Sequence, residues 1–337
     1  KVYIYSPVDN TWTEGAQSQL ATAGGSAQEV NGEIYLIGGY GANGYLNAIQ
    51  VYNIAANTWR QNGTTLTPRA NFGTAKFDNW IYLVGGENDS GITSTCETYS
   101  ATNIDWQDRA DMPSGRQRLA VAAAGSKIYT MGGYSNGYLD TVAYYDPGTN
   151  SWTSTGTITQ AKADCATVSM NNGDVYVVGG QITTGYSNVI EKYLNDTSTA
   201  VATIPQAKSG AACVSMESFG LNSILVAGGY NGTGFTPITY LYNIDTSTFE
   251  ALPDMNVARA NFGLLVKSGK IYAVGGYNDT GALNSVEEYD PDNHTWTLKA
   301  SMPTARRDLG LYIQNGRMIA VGGSNNGVYL PAVEEYD

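Results

Sequence analysis

Ile34-Tyr35-Leu36-Ile37-Gly38-Gly39 is a short apolar run, rich in β-branched and aromatic residues, that stops on two glycines. By itself such a run reads as a buried strand followed by a tight turn. The chain repeats it seven times, with the glycine pair at 38-39, 85-86, 132-133, 179-180, 228-229, 275-276 and 322-323. The spacing is 47 residues, except for one step of 49, whose two extra residues fit a longer turn near Glu217 to Asn222. Self-similarity at a fixed period of this size is the mark of a repeat architecture.

Working outward, other features keep the same phase. A strand ending in Tyr follows each glycine pair: Tyr52, Tyr99, Tyr145, Tyr193, Tyr242, Tyr289 and Tyr336. A turn rich in Asn, Asp, Ser and Thr then precedes a large aromatic at Trp12, Trp59, Trp106, Trp152, Phe249 and Trp296; the matching position near Val201 has none. A phrase of the type Met/Leu-Pro-x-x-Arg comes next, at Leu66 to Arg69, Met112 to Arg116, Met255 to Arg259 (here without the Pro) and Met302 to Arg306. Each unit therefore holds four short strands: A from the Arg, B ending in Gly-Gly, C ending in Tyr and D around the Trp. A lone four-stranded sheet cannot cover both its faces, and stacking sheets around an axis does so.

This order of Gly-Gly, Tyr and Trp resembles the kelch repeat, over essentially the whole chain. The resemblance implies an all-β, seven-bladed β-propeller of four-stranded antiparallel blades. The expected blades are residues 20–60, 67–107, 114–153, 161–202, 207–250, 257–298, and 304–337 completed by 10–14. One propeller then spans residues 1–337, although length alone would suggest two domains. Tyr5 and Tyr336 fall on the same repeat position, so the N-terminal segment is expected to join the last blade and close the ring. Residues 1–6 and 332–337 compete for its third strand.

Antiparallel order puts the D-to-A and B-to-C connections at one end of every blade. The A-to-B turns at the other end are short (Asn31-Gly32, Ser126-Lys127, Ser268-Gly269) and read as structural. The B-to-C loops are longer and rich in Gly, Asn and aromatics, and loops on a rigid scaffold concentrate binding residues. Aligning the starts of strand A gives Thr22, Arg69, Arg116, Lys162, Lys208, Arg259 and Arg306, six of seven basic in an otherwise acidic chain. Two positions on stand Gly24, Asn71, Arg118, Asp164, Gly210, Asn261 and Asp308. The residue after Gly-Gly is Tyr40, Glu87, Tyr134, Gln181, Tyr230, Tyr277 or Ser324.

In kelch adaptor domains ligand contacts come from these positions. The resemblance thus implies a ligand-binding mouth of Arg69, Arg116, Arg118, Lys162, Lys208, Arg259, Arg306, Tyr40, Tyr134, Tyr230, Tyr277, Asn71 and Asn261. It would suit a protein or glycan with anionic groups, since Arg holds carboxylates bidentately and Tyr supplies rigid contact area. The competing expectation is that the strand-A bases pair with acids or carbonyls of the next blade, and that the tyrosines are packing caps of the central channel.

Other chemistry finds little in the chain. Some kelch-like propellers are copper oxidases built on two His, two Tyr and a Tyr-Cys crosslink, but here the one histidine is His294, a turn residue. No His-based metal site or His-dependent nucleophile can be assembled from it. No cofactor, metal or catalytic residue is expected. Bacterial kelch propellers also include sialic acid epimerases, and an Arg ring with Glu87 or Asp164 as proton acceptor keeps that alternative open. A third reading is a structural unit of a surface layer or filament.

Composition sets the outer bounds. Charged residues are 14%, and the 337 residues include 40 Gly and 25 Tyr, which suits strands and turns. The net charge of -12 argues against a nucleic-acid partner. No apolar run is long enough for a membrane span. Cys96, Cys165 and Cys213 lie far apart and read as small buried hydrophobes rather than a disulfide framework. Asn-x-Ser/Thr sequons occur at Asn62, Asn88, Asn195, Asn231, Asn278 and Asn293, about as many as such a composition yields by chance. The chain begins at Lys1 and reads as a trimmed module of a larger multidomain protein. Its composition suggests an extracellular or cell-surface setting, with the cytoplasm as the alternative.

Overall fold

Each Gly-Gly pair ends a buried strand because no other residue fits there. Gly275 and Gly276 take φ of 63° and 97°, the left-handed region, and a Cβ on Gly275 would stand 2.6 Å from the Arg306 carbonyl oxygen. The closeness has a purpose: the Gly276 N–H donates to that same carbonyl at 2.8 Å, tying one repeat to the next. The same bond joins Gly39 to Arg69, Gly86 to Arg116, Gly133 to Lys162 and Gly180 to Lys208.

The computed structural model describes residues 2–6, 11–100, 102–103, 105–194, 197–314, 317–330 and 333–336. The fold is an all-β propeller of antiparallel four-stranded blades, each ordered A-B-C-D. The chain divides into two compact units, residues 1–70 with 253–337, and residues 71–252. The second unit holds four blades. The first of them pairs Gly73–Phe77, Trp80–Val84, Cys96–Ser100 and Asp105–Arg109 in sequence order. The discontinuous unit holds two more, over Ser26 to Thr64 and Gly263 to Lys299.

That makes six four-stranded blades where the sequence predicts seven. The last repeat enters a sheet of five strands in the order Thr11–Gly15, Val2–Ser6, Val333–Tyr336, Arg317–Val321, Gly310–Gln314. The N-terminal segment does join this sheet. Both contenders for the third position are present: Val333–Tyr336 sits beside strand B, and Val2–Ser6 adds to its free edge in parallel. The reason is that the two segments carry the same strand pattern, and an unpaired edge accepts a second copy.

Cores lie between successive sheets. In the second unit Tyr176, Val178 and Ile190 meet Ile224, Val226 and Tyr242, all with at most 1% exposure. Burying each such side chain contributes roughly 1.5–3 kcal/mol. The repeat Tyr and Trp are cross-strand partners, with ring centroids 5.2 Å apart for Tyr52 and Trp59 and 5.5 Å for Tyr145 and Trp152. In the fourth repeat Tyr193 faces Ser198, so the missing aromatic belongs at 198 and not near Val201. Tyr193 stacks edge-on with Tyr129 instead, at 5.3 Å.

Two further register corrections follow from the pairing. Leu66 is 56% exposed, and Thr65, at 2%, fills the buried place that Met112 takes one repeat on. The third A-to-B turn is Gly125-Ser126, because Ala124 pairs with Lys127. The 49-residue step is explained as expected, by a 3-10 turn at Glu217–Phe219. Among the described residues no helix is long and apolar enough to cross a membrane.

Candidate binding site at the B-to-C loops

The strand-A bases are not at the surface. Arg69, Lys162, Lys208, Arg259 and Arg306 are 0% exposed and Arg116 is 2%. Arg116 donates from Nη1 to the carbonyls of Gly132 and Thr141 at 3.0 and 2.9 Å, and from Nη2 to the Ser114 and Thr141 hydroxyls. Arg259 makes the same bonds to Gly275 and Ser285, and adds the Glu287 carboxylate at 2.7 Å. Arg306 reaches the Gly322 carbonyl at 2.7 Å. Lys162 pairs with Glu191 at 2.6 Å with both side chains fully buried, and Lys208 stands over the Tyr240 ring. Burial outside water lowers the pKa of Arg116 and of Arg259, the latter opposed by Glu287.

The expectation that these six bases line a mouth is therefore corrected. Each is a staple: its carbonyl or side chain holds the end of strand B, and a buried charge needs those partners. The acceptors are mostly carbonyls and acids of the same repeat, not of the next blade.

Two positions further along, the backbone turns left-handed at Asn71, Arg118, Asp164, Asn261 and Asp308, with φ between 51° and 54°. Their main chains form ladders, Arg118 N–H to Asn71 O and Asp164 N–H to Arg118 O in one unit, and Asp308 N–H to Asn261 O in the other. Their side chains are at the surface. Asn71 donates to Glu87 at 2.7 Å and Asn261 to Asp308 at 2.8 Å. Arg118 grips the Asp164 carboxylate through Nε and Nη2, and Nη2 also donates to Gln181 Oε1 at 2.8 Å. The Asp164 hydrogen bond holds the Arg118 pKa above its usual value.

Two of the tyrosines after Gly-Gly show how that position is placed, each by two bridges. Tyr134 pairs back to Gln117 and forward to Tyr138, and Tyr230 pairs back to Ser209 and forward to Phe235. Most other B-to-C loops are two-stranded ribbons, as at Tyr40–Gly41 with Gly44–Tyr45. Rings pack edge-on along them: Tyr40 with Tyr45 at 4.9 Å, Tyr134 with Tyr138 at 5.4 Å, and Tyr186 with Tyr230 at 5.7 Å. Tyr277 is covered by the Arg307 guanidinium at 4.9 Å.

The predicted tyrosines and asparagines are thus at the loop end, while the predicted bases, Arg118 excepted, are beneath it. Asp164, Gln181, Tyr138, Tyr186 and Phe235 complete the loop surface and were not among the expected ligand contacts. Their signal was available, since an aromatic stands five or six residues after the second glycine at Tyr45, Tyr138, Tyr186, Phe235 and Tyr329. Three of the sequon asparagines, Asn88, Asn231 and Asn278, build turns at the tips of these hairpins, each accepting the N–H two residues on. Asn195 lies outside the described residues.

His294 is exposed in its turn, where its Nδ1 is 3.2 Å from the Tyr289 hydroxyl. Asn57 and Asn150 hold Tyr52 and Tyr145 in the same way, at 3.0 and 2.8 Å. The histidine therefore replaces an asparagine of the repeat. Among the described residues no cluster of three or more His, Cys, Asp or Glu is arranged to hold a metal ion. Cys96 is buried as expected, whereas Cys165 and Cys213 are half-buried, with desolvation raising their thiols to about 12.

Comparison with known proteins gives two family matches. The model of the KLHDC2/KLHL20/DRC7 Kelch-repeats domain matches residues 1–180, and that of the Kelch motif matches residues 258–303. No curated protein matches. Among solved structures, one described as "Structure of YjhT" aligns with a TM-score of 0.65 at 16% identity, over 84% of this chain and 98% of that one. A fungal alcohol oxidase of the AA5 family, in complex with copper, aligns with a TM-score of 0.77 at 16% identity, over 94% and 72%. At such identity these likenesses speak to the fold alone.

Proposed function

The chain belongs to the kelch-repeat family, and from that premise we propose that it is a non-catalytic binding module that engages its ligand at the B-to-C loop end of the blades. The observation that carries this reading is the rigidity of that end. Its tyrosines are fixed by backbone bridges on both sides and packed edge-on, so little conformational entropy remains to be lost on binding. Function in such repeat folds lies in the loops that the scaffold presents.

The ligand need not be anionic. With six bases buried beneath the loops, Arg118 and Arg307 are the strand-A cations left at this end, and each has a carboxylate beside it. An epimerase working through the basic ring loses its support for the same reason, and both proton acceptors considered for it are bonded to neighbours, Glu87 to Asn71 and Asp164 to Arg118.

The test is labelled protein on printed arrays of peptides and glycans. Binding to at least one ligand class is expected, falling roughly tenfold in Tyr186→Ala or Tyr230→Ala. It should persist in Asp292→Ala, at the opposite end of a blade. Binding that follows Asp292 instead, or chemical conversion of the bound ligand, would overturn the proposal.

A further inference from the structure

We propose that the strip formed by Tyr138, Arg118, Asp164, Gln181, Tyr186 and Tyr230 binds an extended, uncharged oligosaccharide. The proposal rests on the loop-end reading above and names its ligand class.

The strip is continuous within the second unit and crosses the loops of three consecutive repeats. Tyr138, held on its loop by Tyr134, lies close enough to Arg118 to favour its charged form. Arg118 holds both Asp164 and Gln181, Gln181 pairs with Tyr186 across its ribbon, and Tyr186 packs on Tyr230. Its centre is planar and polar and its ends are aromatic. Vicinal hydroxyls of a sugar match paired planar donors and acceptors, and the C–H face of a pyranose matches a tyrosine ring.

The open valences point the same way. The Gln181 carboxamide uses its oxygen for Arg118, and its NH2 has no partner among the described residues. Asp164 is exposed and keeps acceptor capacity beyond the guanidinium. A sugar hydroxyl both donates and accepts, so it can satisfy both groups at once.

Charge decides against an acidic ligand. Arg118 is matched by Asp164 at the centre of the strip, and the chain as a whole carries -12. The core of a protein interface is depleted of charged residues, whereas the centre of the strip is the Arg118–Asp164 ion pair. Three loops in a row suit several sugar units rather than one.

Affinity electrophoresis of the full chain tests this, in gels containing galactomannan, glucomannan or mixed-linkage β-glucan, with alginate as the acidic counterpart. The expected result is retardation in at least one uncharged gel, weakened roughly tenfold by Gln181→Ala and by Tyr230→Ala. Asp292→Ala should be retarded like the wild type, and melting curves should show all three variants folded. Retardation in no uncharged gel overturns the proposal, as does retardation that neither strip variant weakens. Binding to alginate alone, lost in Tyr230→Ala, overturns the uncharged ligand yet leaves the loop-end reading standing. Binding lost only in Asp292→Ala overturns both.

Discussion

At Thr22 the repeat places a hydroxyl where every other strand A has a base, and the exception explains the rule. Thr22 donates to the Gly38 carbonyl at 2.7 Å, the bond that Arg116, Arg259 and Arg306 make to their own glycine pairs. Opposite it, where Glu191 and Glu287 stand in their repeats, is Gln50, which bonds the Leu20 backbone in both directions. Neither side of this slot carries a charge, so no buried ion stands there without a counterion. A double-mutant cycle follows. Thr22→Arg should destabilise by about 3 kcal/mol because the charge has no counterion. Adding Gln50→Glu should recover more than half of that, with a coupling of at least about 1 kcal/mol by denaturant titration. Additive losses would contradict a charge-matched slot. The phase of these residues was legible in the sequence. Their burial was not, because an arginine at a repeat position looks the same whether it faces ligand or carbonyl.

Strands and turns were the most readable level. Gly-Gly, Tyr and Trp located strands B, C and D because each demands a particular geometry: a left-handed turn, a buried ring, a cross-strand neighbour. Where the sequence erred it did so by register, at Leu66, Ser198 and Gly125, since neighbouring small or apolar residues compete for one slot. His294 is instructive here: read from the sequence as a turn residue, it performs an asparagine's task in the C-to-D turn. His294→Asn should leave the melting temperature within about 1 °C of the wild type. His294→Ala should cost about 1 kcal/mol by removing the hydrogen bond between the turn and the Tyr289 hydroxyl. Equal effects of the two substitutions would refute the equivalence. The loop surface was half legible: the tyrosines after Gly-Gly were marked by phase, whereas the partners of Arg118 come from other repeats and become visible only when the blades pack.

Across the whole molecule the repeat predicted the propeller, and the ends resisted it. Two segments with one pattern could not be ranked from sequence, and both enter the terminal sheet, giving it five strands. The larger lesson concerns charge. A chain of net charge -12 keeps six cations inside, where their side chains bond mostly within their own repeats, so its acidity at the surface exceeds what composition alone suggests. Recognition is left to the rings and carboxamides above them. This division of labour is tested most directly by comparing the melting temperatures of Arg259→Ala and Arg118→Ala. The account predicts a fall of roughly 5 °C or more for Arg259→Ala, which strands Glu287 as an unpaired buried charge, and a change of no more than about 2 °C for Arg118→Ala, whose ion pair is exposed. A small shift in Arg259→Ala, no greater than that in Arg118→Ala, would contradict it.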